Sequence, residues 1–416
     1  MMPEETGITA ITGGRLIDGT GADPIENATV IVEGSSIRAV GKRLEIPRGA
    51  RVLDVPGKTV MPGLINSHMH LSGGSSGTGP SPYRPREVAM FKAASDARQC
   101  LAAGFTTVKD CGGRNAPFLK QAVREGVLTG LPRIVAACCL MSQTNGSLDR
   151  SPGAPGSRDA RQNNEAEGLI CDGVDECAKA VRYALRLGAD FIKAFASGGF
   201  HQPDIASPSG VEFSLEELGA FVKTAAQVGK YVTVHSQNCQ GSKNAVLAGV
   251  KTIDHASRSD DEVVALGKSR GAIFVSTLAY LRVMLDDRRP GRPPQGSFML
   301  QHEWDSSVQA YRRMHDAGAV LAAGTDSFGD PRLGALEMEL LVKHCGFSPM
   351  EAIVAATKNA GAACFMADRI GTVEAGKLAD IIVVEGDPLA EIGLLQDVNK
   401  IKMVILEGTV CVDRGL

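Results

Sequence analysis

The sequence predicts an α/β protein: a (β/α)8 TIM-type barrel with a small β-sandwich domain built from both termini. Three observations lead there. The chain has 416 residues, enough for one such barrel and an appendage. Strand-like and helix-like stretches alternate through its middle, as in parallel strands joined by crossover helices. Both ends carry short β-branched runs punctuated by Gly and Pro.

In chain order, ITAITGGRLIDG, ATVIVEGSSIRAVG and RVLDVPGKTVMPG read as strands, so residues 1–60 form the N-terminal part of the small β domain. The barrel is expected over 61–368. Its eight strands are read at 60–71, 105–112, 133–141, 189–197, 231–237, 251–257, 272–279 and 319–327. Between them PREVAMFKAASDARQCLAAG, DECAKAVRYALRLG, SLEELGAFVKTAAQVG and SSVQAYRRMHDAG read as helices, each ending in Gly, a common helix stop. Ser214 with Glu217 three residues on is a capping-box pattern. Polar, Gly/Pro-rich insertions at 142–173 and 285–300 follow strands three and seven, on the rim where barrel enzymes place their sites. ADIIVVEGDP and IKMVILEGTVCVD return to β texture and place the rest of the small domain at 369–416.

Charge narrows the function. Lys plus Arg number 44 against 47 Asp plus Glu, a net −3, which gives no electrostatic case for nucleic acid or an anionic membrane. No apolar run approaches a membrane span, and the start MMPEETGITAITGG is acidic where an export signal is basic. Ten cysteines without a C-x-x-C pair read as reduced thiols. A cytoplasmic enzyme of small molecules is the expectation.

The chemistry is expected at strand ends. His68 and His70 form H-x-H at the end of strand one, where residues i and i+2 share a face and can grip one ion. His235 ends strand five, His255 strand six and Asp326 strand eight. Lys193 lies in the apolar run ADFIKAFAS, where a charged lysine needs a partner. It either pairs with a carboxylate or, as a reactive amine, captures carbon dioxide to become a carbamate ligand. Asp254, by strand alternation, is read as facing away from the site. His302, His315 and His344 fall on helical patterns and are assigned to surface or packing.

PGLINSHMHL, FIKAFASGG, VTVHS, TIDHAS and AAGTDS, in this order, resemble the amidohydrolase superfamily, in its binuclear-metal branch with a carboxylated lysine. The late segment GTVEAGKLADIIVVEGDPL extends the resemblance over nearly the whole chain. FTTVKDCGG, MSQTN and DHAS are most similar to the prolidase-like amidohydrolases, the Xaa-Pro dipeptidase and imidazolonepropionase-like group, which cleave dipeptides and N-acyl amino acids. The resemblance implies two divalent ions, zinc or a neighbour of zinc. His68, His70 and Asp326 would hold the more buried ion, and His235 and His255 the more exposed one. Carboxylated Lys193 and a hydroxide would bridge them, with Asp326 as the base in amide hydrolysis. It also implies a homo-oligomer.

The chain departs from that pattern in the pocket. Asn145-Gly146-Ser147 stands where similar proteins carry Gly-Gly-His, and Gln237 and Asn238 stand where they carry an aromatic residue. His201, Ser147, Tyr280 and Arg84 are therefore candidate substrate contacts, with Arg86 and Arg282 beside them. Rival readings are a carbamate or lactone hydrolase on the same centre, a mononuclear heterocycle deaminase, and a non-catalytic scaffold. The deaminase would need Glu where Asn238 stands.

Overall fold

A computed structural model describes residues 7–71, 85–113, 115–149, 168–199, 210–286, 294–327, 330 and 332–416. The chain begins and ends in one eight-stranded sheet. Its seam is the antiparallel pairing of Lys58–Pro62 with Ile381–Glu385, Val60 opposite Val383, which joins the two termini. Ile8–Leu16 pairs with Ile25–Glu33, and Ser36–Lys42 follows as the outer strand. Bonds from Ile37 N to Lys377 O and from Ala379 N to Ser35 O, both 2.8 Å, tie that outer strand back to the C-terminal segment. The sheet thereby wraps a core of Ile11, Leu16, Val30, Val60, Val383 and Met403, whose burial drives its closure.

The barrel strands are Leu64–Met69, Phe105–Asp110, Arg133–Ala136 continued by Leu140–Ser142, Ile192–Phe195, Val232–Ser236, Thr252–His255, Ile273–Ser276 and Leu321–Ala323, all parallel to their neighbours. The ring closes between strands eight and one, where Thr325 N donates to His68 O and His70 N to Ser327 O, each at 2.9 Å. A helix follows every strand, among them Arg86–Ala102, Gly173–Arg186, Leu215–Ala226 and Arg332–Cys345. Ser214 makes the expected capping box with Glu217.

Several boundaries differ from the sequence reading. The run 60–71 is two strands: Lys58–Pro62 belongs to the terminal sheet, and Leu64–Met69 to the barrel. Gly63 between them passes so close to strand two that a Cβ would lie 2.1 Å from Thr106 Oγ1. Strand three breaks at Cys138, whose φ is +67°. Ala136 still pairs with Asp110 of strand two, while Leu140 pairs with Lys193 of strand four. Strand seven stops at Ser276 and a helix runs Leu278–Asp286, where the buried Glu337 carboxylate accepts Ala279 N at 2.6 Å and satisfies one of the first-turn donors. Of the insertion read at 285–300, the described residues are helical: 285–286 end one helix and 294–300 begin a long one that spans Pro294–Asp316. Pro294 occupies the first turn, where a missing N–H costs nothing, and Trp304, Tyr311 and Met314 bury the inner face. In the other insertion, Gly168–Ile170 returns to pair with Leu140–Ser142, and 150–167 lie outside the described residues.

Candidate metal centre

The C-terminal ends of the strands bring the candidate ligands together. His68 Nε2 lies 3.3 Å and His70 Nε2 3.2 Å from Asp326 Oδ1. The ligand atoms of these three residues fall within 4.8 Å of one another. The His255 ring sits 4.9 Å from that of His68 and 4.5 Å from that of His235, centroid to centroid. Asp326 is placed by its own backbone: φ is +54°, and its N–H donates to His68 O at 2.9 Å.

Each imidazole has one nitrogen committed. His70 Nδ1 donates to Gly112 O at 2.9 Å, and His255 Nδ1 to Thr277 Oγ1 at 2.8 Å. His235 Nε2 faces Gly198 O at 3.4 Å. His68 Nδ1 lies 3.0 Å from Asp254 Oδ2. Such partners fix tautomer and ring angle and leave the other nitrogen's lone pair for a cation. Burial pushes His235 down to about 3, with Lys193 adding to the effect, and holds His255 well below its usual range. Burial would raise Asp326, but hydrogen bonds from His68 and His70 outweigh it and keep the carboxyl well below the usual carboxylate range. His68 differs: burial opposes its charge, but Cys111 and Asp254 hold it well above its usual range, so it is the neutral His235 and His255 beside the ionised Asp326 that are donors of the kind zinc and its neighbours take.

Lys193 is buried, and its ammonium is bonded to Asp254. Asp254 therefore faces the site, contrary to strand alternation. The reason is local. His255 and Ala256 have φ of +63° and +49°, so the strand's regular pleat ends at Asp254. His255 then turns back to the same mouth, and both side chains point inward. Burial opposes ionisation of Asp254, but Lys193 and then His68 hold it far below the ordinary range.

Other contributors were not singled out from sequence. Asp110 accepts Leu71 N at 2.6 Å and Gly112 N at 3.0 Å, tying the exits of strands one and two, and burial pushes its carboxyl up to about 6. Its place at a strand end was the available signal. Glu212 takes both Ser147 N–H, at 2.9 Å, and the Ser147 hydroxyl, together with the Ser142 hydroxyl at 2.7 Å. The candidate substrate contact Ser147 is thus buried, with its hydroxyl turned to Glu212. Tyr280 lies half-buried on the helix Leu278–Asp286, packed against the barrel core. Arg282 pairs with Asp286 on the same helix. Asn238 caps the helix Cys239–Ala248 through Gly241 N at 3.0 Å. His302, His315 and His344 sit on the outer helices. His201 and Arg84 lie outside the described residues, and nothing is described of the Arg86 side chain.

Fold and site together define a barrel hydrolase with a histidine–carboxylate centre. The chain belongs to the amidohydrolase family, whose model it matches over residues 59–411. Ochratoxinase of Aspergillus niger is 33% identical over 416 residues, spanning 95% of this chain and 84% of its own. The A. niger ochratoxinase crystal structure gives a TM-score of 0.89 at 30% identity, covering 99% and 97% of the two chains. A prolidase complexed with n-methylphosphonate-L-proline gives 0.87 at 28% identity, covering 98% and 100%. An imidazolonepropionase of Thermoplasma volcanium is 24% identical over 421 residues, 94% of this chain and 92% of its own. The protein is a hydrolase acting on C–N bonds. No helix among the described residues is long and apolar enough to cross a membrane.

Proposed function

We propose that the protein hydrolyses an amide bond of an N-acyl amino acid or dipeptide, using two divalent cations. His68, His70 and Asp326 would hold one, His235 and His255 the other, with carboxylated Lys193 between them. The observation that carries this reading is the convergence of His68, His70 and Asp326 beside the His235–His255 pair and Lys193. When bound, such a pair supplies an activated water and polarises the scissile carbonyl.

The chain's own residues do the rest. Asp326 Oδ1, at the focus of the two strand-one imidazoles, accepts the proton of the attacking water and returns it to the leaving nitrogen. Asp254 Oδ2, 3.0 Å from His68 Nδ1, orients that ring. The Ser142–Glu212–Ser147 cluster fixes the loop after strand three. The substrate class is supported by relatives that include an ochratoxinase and a prolidase.

Metal analysis of protein purified with bicarbonate tests the centre. Two ions per chain are expected, with clear loss in Lys193→Ala. One ion, indifferent to Lys193, would remove the carbamate bridge. A panel of N-acyl amino acids, dipeptides, carbamates and lactones then ranks substrates, and preference for a lactone or carbamate would overturn the amide assignment.

A further inference from the structure

The end of strand six holds an unusual turn. His255, Ala256 and Arg258 all have positive φ, at +63°, +49° and +63°, although none is glycine. L residues adopt this conformation only where surrounding contacts impose it. Those contacts come mainly from the far helix Pro294–Asp316. Tyr311 is fully buried, and its hydroxyl donates to His255 O at 2.6 Å while accepting Thr277 N at 3.3 Å. Glu303, eight residues earlier and two turns back on the same face, takes the Ser257 hydroxyl and Arg258 Nη2, the latter at 3.0 Å. Arg313 Nη1 donates to Ser259 O at 2.7 Å. Thr277 completes the arrangement, since its hydroxyl accepts His255 Nδ1.

We propose that Tyr311, Glu303 and Thr277 are positioning residues for the second cation. They clamp the left-handed turn and aim His255 Nε2 at the ion it shares with His235. The inference rests on the binuclear reading above. It assigns to the helix Pro294–Asp316 a role that spacing around the histidines does not suggest. The clamp acts on one ligand of one ion. His68 and His70 take their orientation from Asp254 and Gly112 instead.

Chelator competition on the fully loaded protein tests it, following both dissociation steps, with the weaker-held ion assigned by its loss in His235→Ala. Tyr311→Phe and Thr277→Val should loosen the His235/His255 ion by about tenfold to a hundredfold, the usual range when a partner behind a ligand is removed. The ion at His68, His70 and Asp326 should keep its affinity. Thr277→Ser, which retains the hydroxyl, should bind both ions as the unmodified protein does. Unchanged affinities in Tyr311→Phe and Thr277→Val, or equal loosening of both ions, would overturn the clamp. Only one ion in the unmodified protein would overturn the binuclear reading itself, and the clamp with it.

Discussion

Glu337 offers a sharp test of the packing. It lies on the helix Arg332–Cys345, fully buried, and accepts Ala279 N at the start of the helix Leu278–Asp286. Burial raises its carboxyl from 4.5 to about 7 against the hydrogen bonds that favour the anion. Between those values the folded chain holds a proton that the unfolded chain has released. Stability from this group is therefore fully present below pH about 4.5 and falls as pH rises through about 7. At about 1.4 kcal/mol per pH unit, the loss approaches about 3 kcal/mol. Glu337→Gln keeps an acceptor for Ala279 N and cannot ionise. Urea unfolding of metal-free protein can be followed by the fluorescence of Trp304, the single tryptophan, which is nearly buried on the adjacent helix. The two proteins should match near pH 4.5, and the Gln variant should gain steadily to about 3 kcal/mol by pH 8. Comparison with the variant cancels the contributions of Glu212 and Asp110, which titrate in the same window. A difference that stays flat with pH would refute the argument that burial dominates at Glu337.

Gly63→Ala should destabilise by about 1–3 kcal/mol, read as a lowered Tm, because the new methyl meets Thr106 at the point where the chain leaves the sheet for the barrel. Asp254→Asn takes the carboxylate from behind His68, so metal affinity should fall by roughly tenfold to a hundredfold in chelator titration. Metal retained at the affinity of the unmodified protein would show that Asp254 only packs. Ser214→Ala removes one capping box and should cost about 1 kcal/mol in denaturant unfolding, with metal content unchanged.

The barrel and the terminal sheet are legible in the residue pattern, and so is the gathering of histidine, lysine and aspartate at strand ends. Period-two and helical patterns record which face each segment buries, and H-x-H, Lys193 and Asp326 announce their chemistry by residue type at strand ends. The sequence alone could not place the breaks at Gly63 and Cys138, where one apparent strand serves two partners. It could not see the helix that begins where strand seven was expected to continue, one of whose first-turn donors is met by Glu337, 58 positions away. Asp254 was misplaced for a related reason. Alternation holds only while φ stays extended, and the left-handed turn at His255 is imposed by Tyr311, Glu303 and Thr277 from distant elements. Local pattern thus specifies what each segment buries, whereas the orientation of the ligands depends on hydrogen bonds between segments. Those bonds exist only once the barrel has closed.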